Sequence, residues 1–261
     1  MNCELHLMLA MTRRFSKVRG AGFVSNKLKA FYLRKPRDEE TVSVLDFKMD
    51  LDPAQNVDGG LLFHPQLYDH REVRFLHEHL REGDVFLDVG ANIGFYSLVA
   101  SRQVGPSGKV IAIEADPYNC DRLRKNIDLN DVCNIQVVNA GVADKEQVLR
   151  LGINPRHRGG NSFFREGPDG IDVECFPLLD IVNAQRIDRI DGVKLDIEGF
   201  EYRVMSRYLA DADCALYPRF IIVEDNPKWS TKAGGSVLEL LRKTGYRSLW
   251  SSKLNTIMVL S

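Results

Sequence analysis

Cysteine is scarce in this chain and widely scattered. Cys3, Cys120, Cys133, Cys175 and Cys214 include no Cys-x-x-Cys pair, which argues against a disulfide framework and against a zinc site built on thiolates. They read as reduced thiols that pack as small hydrophobes. Histidine offers no metal site either, because His77 and His79 are two residues apart and so point from different faces of a helix. Long apolar runs are missing too. No window approaches the ~20 apolar residues of a spanning helix, and basic residues interrupt every apolar run near the start, unlike the core of a signal peptide. The expected location is the cytoplasm, without stable membrane insertion. An excess of charge is also lacking: the formal net charge is −1, so no global field draws in nucleic acid. The local exception is the basic stretch Arg13, Arg14, Lys17, Arg19, Lys27, Lys29, Arg34, Lys35 and Arg37. It is either a solvated lead-in or a contact for an anionic surface.

With 261 residues, 44% of them hydrophobic and 27% charged, the chain is sized for one large soluble α/β core with an extension. From Asp84 onward, short β-rich runs alternate with amphipathic stretches, the signature of a parallel sheet covered by helices on both faces. The expected strands are Val85–Val89, Lys109–Glu114, Ile135–Val142, Val193–Ile197 and Phe220–Glu224, with helices over Ile93–Gln103, Pro117–Asn130, Phe200–Leu209 and Ser236–Thr244. Tyr246–Trp250 and Thr256–Leu260, around Lys253–Asn255, read as a closing hairpin, which makes the sheet mixed. Ahead of this domain (84–261) stand a basic extension (1–40) and a flap (41–83). The flap shows an alternating run through Val42, Val44, Asp46 and Lys48, then a helical pattern through Val73, Leu76 and Leu80. Residues 152–172 form a long loop rich in Gly, Pro and Arg, of a length usual for functional lids. No internal repeat is present, and nothing in the pattern sets an oligomeric state.

The chemistry concentrates where the first strand meets its helix. Asp88-Val-Gly90-Ala91-Asn92-Ile-Gly94-Phe-Tyr96-Ser97 is a strand, a glycine-bearing turn and a helix start, where backbone N–H groups can approach a ligand. The next strand ends in Glu114, at the carboxyl edge where open α/β sheets bind ligands. An acid there can accept both hydroxyls of a ribose. A pyrophosphate binder wants Gly-x-Gly-x-x-Gly, whereas this turn has two glycines and a carboxylate. Asp88 repels a diphosphate and suits a cationic, phosphate-free cofactor such as S-adenosylmethionine, which carries an ammonium and a sulfonium.

In these residues the chain resembles the FkbM-type methyltransferases, over roughly Tyr68 to Asn226. Asp88 to Ser97 resembles the family's cofactor turn, and Glu114-Ala115-Asp116-Pro117, with Asn126 and Asn130 following, its ribose-binding segment. Asn139-Ala140-Gly141-Val-Ala-Asp144 resembles the third-strand element beside the adenine, and Lys194-Leu-Asp196-Ile-Glu198-Gly-Phe-Glu201 the fourth-strand signature. The resemblance implies a class I, Rossmann-like methyltransferase that uses S-adenosylmethionine to methylate an oxygen of a small-molecule acceptor, often a sugar or natural product. Rival readings are a nucleotide-dependent dehydrogenase or epimerase, and a non-catalytic binding module on the same fold.

Asp196 is the expected catalytic residue, because a carboxylate ending a buried central strand is costly unless something binds it. Glu198 and Glu201 read equally as a solvated rim and a helix N-terminus, the latter the better account of Glu201. Arg156, His157 and Arg158 are either solvated or in contact with a polyhydroxylated or anionic acceptor. After the fifth strand, where the family has an acid, a hydrophobic residue and histidine, this chain has Glu224-Asp225-Asn226-Pro227. Asp225 and Asn226 with Asp196 resemble the magnesium site of catechol O-methyltransferases. The alternative is a polar turn, and no metal is assigned.

Overall fold

Runs of β-branched and apolar residues become one seven-stranded sheet: β3 (Val85–Val89), β4 (Lys109–Glu114), β5 (Ile135–Asn139), β9 (Gly192–Leu195), β10 (Phe220–Glu224), β11 (Tyr246–Ser251) and β12 (Asn255–Leu260). The computed structural model describes residues 8–13, 27, 30–33, 39–155, 157–226, 229, 232–252 and 254–261. Cys3, Arg14, Lys17, Arg19, Lys29, Arg34, Lys35, Arg37, Arg156, Pro227 and Lys253 lie outside the described residues. The strand order is β11-β12-β10-β9-β3-β4-β5. β3 pairs in parallel with both β4 and β9, so the chain winds outward in both directions from β3 and opens a crevice at the carboxyl ends there. β12 joins β10 and β11 antiparallel. The sheet is therefore the doubly wound, mostly parallel one read from the sequence, closed by an antiparallel hairpin.

Alternate residues on each strand feed two cores. Phe86, Val110, Phe220 and Ile222 point to one face, and Leu87, Ile111, Val193 and Ile221 to the other. Each such side chain contributes about 1.5–3 kcal/mol when fully buried. On the first face lies α3 (Phe95–Val104), whose Phe95 to Ser101 are all buried. A helix buried on every side must be covered from outside as well, and the cover is the segment before Asp84. This comprises β1 (Glu40–Val44), β2 (Phe47–Leu51), α1 (Asn56–Phe63) and α2 (His70–His79). Alongside, α4 (Pro117–Asp128) starts on a cap, with the Asp116 carboxylate accepting the Tyr118 N–H, and on Pro117 at its first position. The second face carries α5 (Leu178–Ala184), α6 (Glu201–Asp211), α7 (Val237–Lys243) and a small sheet of β6 (Gly141–Ala143), β8 (Gly170–Pro177) and β7 (Gln147–Gly152).

Four expectations change, the first being the long loop of 152–172, which spans 153–169 because Gly152 ends β7 and Gly170 to Asp172 open β8. The run Ile135–Val142 breaks at Ala140, because Asn139 Nδ2 donates back to the Glu114 and Ala115 carbonyls. Gly141, packed against Cys175 and Phe163, then carries the chain into the small sheet. β9 ends at Leu195, two residues early, leaving Asp196 and Ile197 on the turn beyond. The alternation through Val42 and Lys48 is a hairpin of two strands, with Leu45 in the left-handed region at its turn (φ 51°). β7, β8, α1 and α5 carried no reading of their own. β7 is half exposed along most of its length, so its apolar signal is diluted.

Candidate active site

The carboxyl ends of β3, β4 and β9 converge on two adjoining cavities. The first has about 520 Å³ of free space, its open mouth included, and is bordered by Gly90, Asn92, Glu114, Ala115, Asn119 and Ala140. Across from them stand Phe163, Arg158 and Asn161 of the long loop, with Asp196 to Glu198. The second, about 530 Å³ measured the same way, is bordered by Tyr68, Asp69, Asp88, Ala91, Tyr96 and Lys194. Gly90, Asn92, Gly159 and Asp196 belong to both walls, so the two form one bent groove with Asp196 at its elbow.

Backbone geometry makes the elbow. Gly90 adopts φ +85°, and an added Cβ would run into the Asp196 carbonyl; only glycine lets the two strand ends close this tightly. Asn92 is left-handed as well (φ 49°). Its N–H donates to Glu114 Oε2 at 2.8 Å, while the Asp116 N–H and Asn119 Nδ2 donate to Oε1 at 2.9 and 3.4 Å. Glu114 is thus the knot that ties the β3 turn to the end of β4. Burial pushes it up to about 7, against those donated hydrogen bonds. Asn119 Oδ1 is buried and unpartnered among the described residues, and it borders the same cavity.

Several predicted residues stand behind the walls. Gly94 (φ +89°) lets α3 close on Leu123. Ser97 donates its hydroxyl to Asp88 Oδ2 at 2.5 Å, and burial raises Asp88 to about 6 against that bond and the Lys194 charge. Asp116 Oδ2 is taken by Arg158 Nη1 at 2.7 Å and Asn161 Nδ2 at 2.9 Å, so its carboxylate latches the long loop. Asn139 and Gly141 fix the exit from β5 described above.

At the elbow, Asp196 Oδ2 accepts from Lys194 Nζ at 3.0 Å. Burial raises Asp196, but the Lys194 charge and hydrogen bonds from Glu224 and Lys194 outweigh it and hold it below the usual carboxylate range. Glu224, beside it on β10, is pushed up to about 10 by burial and by the Asp196 charge. The proton of the pair therefore sits on Glu224. The turn that follows is pinned by Glu201, whose carboxylate accepts the Ile197 and Gly199 N–H groups at 2.9 Å. Glu201 thus holds its helix N-terminus, as its position suggested. Glu198 accepts from Trp229 Nε1 at 3.1 Å, and its carbonyl from Ser162 Oγ at 2.7 Å.

Carboxylate oxygens of Asp196, Glu198 and Glu224 lie within 4.8 Å of one another, and on the turn after β10 the Asp225 N–H donates to the Leu254 carbonyl at 2.9 Å. One member of the trio, Asp196, is already paired with an ammonium, that of Lys194.

The sequence reading passed over Lys194, Asn119, Tyr68 and Asp69. Lys194 could have been found, since a lysine between Val193 and Leu195 in a buried strand demands a partner. Tyr68 and Asp69 arrive from the flap by tertiary packing, with the Tyr96 hydroxyl donating to Asp69 Oδ2 at 2.9 Å. No local pattern marks them.

The model of the methyltransferase FkbM domain matches residues 88–248. The chain belongs to the FkbM methyltransferase family. The match spans every element that builds the groove except the flap, and it replaces the dehydrogenase reading: this is an S-adenosylmethionine-dependent methyltransferase domain. Its relatives include methyltransferase sdnD of Sordaria araneosa, 28% identical over 151 residues, which are 46% of this chain and 58% of that protein. The 31-O-demethyl-FK506 methyltransferase FkbM of Streptomyces tacrolimicus is 29% identical over 64% of this chain and 74% of its own. The hexuronic acid methyltransferase AglP of Haloferax volcanii is 26% identical over 51% of this chain and 53% of that one. The matched stretch is thus little more than half the length of sdnD and AglP. Among the described residues, no helix is long and apolar enough to cross a membrane.

Proposed function

We propose that this FkbM-family domain methylates a hydroxyl oxygen of a small polar molecule, a sugar or a hydroxylated natural product, with Asp196 accepting the hydroxyl proton. The observation that carries the reading is the position of Asp196 at the elbow, on the wall of both cavities. The first cavity fits an adenosine: Glu114 and the orphaned Asn119 Oδ1 supply acceptors for ribose hydroxyls. Ala115, Ala140, Val142, Leu151 and Phe163 give apolar sides for a purine. In the second cavity Asp88 suits the ammonium of the cofactor's amino-acid end, which leaves the wall of Tyr68, Asp69 and Lys194 to the acceptor. Bound S-adenosylmethionine supplies an electrophilic methyl on a sulfonium. The cofactor contacts of the β3 turn, Glu114 and the ends of β4 and β5, and the division into flap (41–83) and catalytic domain (84–261), belong to this proposal.

The protein's work is then chiefly to hold an acceptor oxygen in line with that methyl, worth roughly 7–11 kcal/mol when well oriented. As the new C–O bond forms and the C–S bond breaks, the hydroxyl proton passes to Asp196, so the alkoxide never stands free. The long loop 153–169 closes the groove from above. It is fastened at Asp116 through Arg158 and Asn161, at Glu198 through Ser162, and at the flap through Gln55, whose Nε2 donates to the Pro155 carbonyl at 3.0 Å. Such a lid excludes water from the reacting atoms. The relatives' names, with a hexuronic acid and 31-O-demethyl-FK506 as acceptors, support a hydroxylated acceptor.

The test is calorimetric first: S-adenosylhomocysteine binds with a dissociation constant in the nanomolar to micromolar range and NAD does not bind. Isotope-labelled S-adenosylmethionine is then offered to a panel of sugars, uronic acids and hydroxylated metabolites, with mass spectrometry reading the labelled product. Binding without labelled product from any hydroxylated acceptor would favour the non-catalytic module instead.

A further inference from the structure

Lys194 is 2% exposed in the middle of a central strand whose neighbours Val193 and Leu195 are core residues. A buried ammonium persists only where charge and hydrogen bonds hold it. Its Nζ lies 3.0 Å from Asp196 Oδ2 and 5.4 Å from the centre of the Tyr96 ring, and it borders the second cavity beside Asp88. An ammonium carries three N–H donors. Among the described residues one is taken, by Asp196, and the cavity lies before the others.

We propose that the Lys194 ammonium serves as the cation of this methyl-transfer site, paired with Asp196 on one side and donating to the acceptor oxygen across the cavity on the other. It does there what a divalent ion does in a metal-dependent O-methyltransferase, drawing the acceptor hydroxyl toward the base and stabilising negative charge as the proton leaves. The balance closes without a metal: the methyl moves from sulfur to oxygen, the C–S electron pair stays on sulfur as the neutral thioether, and the proton moves from the hydroxyl to Asp196. The ammonium keeps all its protons. The inference rests on the reading of Asp196 as proton acceptor.

The groups that face Lys194 and Asp196 are Asp69, Tyr68 and Tyr96 from the flap and α3, Asp88 from β3, and Glu224 from β10. Glu198 and Glu201 follow β9, and His157 faces them from the long loop. Most are acids, so Lys194 carries the compensating charge at the elbow.

The test uses the full chain with S-adenosylhomocysteine bound and Asp carboxyl carbons labelled with ¹³C, the Asp196 signal being identified by its loss in Asp196→Asn. In the wild type Asp196 stays ionised from pH 5 to 8. In Lys194→Met its titration midpoint rises by about one pH unit or more, as the loss of an adjacent opposite charge requires, while Lys194→Arg keeps it ionised. With an acceptor from the panel above, Lys194→Met turns over about 10²–10³-fold more slowly. Affinity for S-adenosylhomocysteine stays within about threefold of wild type, and EDTA leaves the wild-type rate unchanged. An unshifted Asp196 titration in Lys194→Met overturns the proposal. So does a rate that vanishes in EDTA and returns with magnesium, or a loss of cofactor affinity that matches the loss of rate. If Lys194→Met fails to fold, Lys194→Gln, which keeps a donor without the charge, gives the same titration readout. A shifted titration together with normal turnover by Asp196→Asn would sink the base reading alone and leave the charge pairing standing.

Discussion

The two arms of the groove are built differently. The arm assigned to the nucleoside comes from consecutive strand ends, β3 into α3 and β4 into α4, and backbone N–H groups fix its shape, as where Asn92 and Asp116 hold Glu114. The arm assigned to the acceptor is assembled from distant segments: Tyr68 and Asp69 from the flap, Lys194 from β9, Asp196 from the turn after it, and Gly159 of the long loop. Backbone architecture survives most side-chain changes. A site pieced together from side chains can be retuned one residue at a time, which is how one scaffold serves different acceptors. The difference predicts that substitutions in the second arm separate rate from cofactor binding, whereas those in the first do not.

The largest expected effect lies at the elbow. Asp196→Asn should lower the methyl-transfer rate by about 10²–10⁴-fold, the usual worth of a positioned proton acceptor, equivalent to about 2.7–5.5 kcal/mol. Binding of S-adenosylhomocysteine, measured by calorimetry, should change little. If affinity drops as far as rate, Asp196 belongs to the cofactor arm and the contrast between the arms is lost. Next comes Glu114→Ala, which should weaken S-adenosylhomocysteine by about 1.5–3 kcal/mol, the loss of hydrogen bonds to a charged acceptor. The fold will not be indifferent, contrary to what the isolated strand end suggests, because two backbone N–H groups lose their partner with it. Glu114→Gln, which keeps an acceptor oxygen, should recover melting temperature more than affinity.

This contrast also decides what could be read from sequence. β3, β4 and β10 have the bounds expected of them, since a strand buried on both faces is a short, unbroken apolar run ended by polar turns. Asp88, Gly90 and Glu114 follow from those ends by register alone. Asp116 and Asn139 stand in the expected neighbourhood, and their side chains also latch the loop and the end of β4, which depends on Arg158 and the Ala115 carbonyl arriving from elsewhere. The position of the second arm is legible where it lies just past a strand, as with Asp196, and silent where tertiary packing brings residues in, as with Tyr68.

A smaller effect is expected where the arms meet the lid. Arg158→Ala removes the ion pair to Asp116, whose side chain is 2% exposed, at a cost of about 1–3 kcal/mol for a buried acceptor left short of a donor. Hydrogen exchange over 153–169 should quicken in that variant. In the wild type the same segment should gain protection when cofactor and acceptor are both present. Exchange indifferent to both ligands would make the loop a passive connection and leave the acceptor arm open to solvent.

The smallest effect is a pH dependence confined to the nucleoside arm. Burial raises Glu114 to about 7, so below that pH the ligand-free protein keeps a proton on it. Ribose hydroxyls donate to the carboxylate, so binding must displace that proton. Affinity for S-adenosylhomocysteine should therefore fall by about tenfold from pH 8 to pH 6, close to 1.4 kcal/mol, with proton release visible as a dependence of calorimetric heat on buffer. Stability follows the same linkage. An ordinary glutamate in the unfolded chain titrates near ~4.3, below the folded value, so the folded state holds the extra proton between the two. The contribution of Glu114 to stability is whole below ~4.3 and is lost as pH rises through about 7. The melting temperature of the ligand-free protein should carry that downward component across the interval, and Glu114→Gln should remove it. Affinity that is flat from pH 6 to 8 would mean that the ribose is held by some other group, and Asn119 would be the first to substitute.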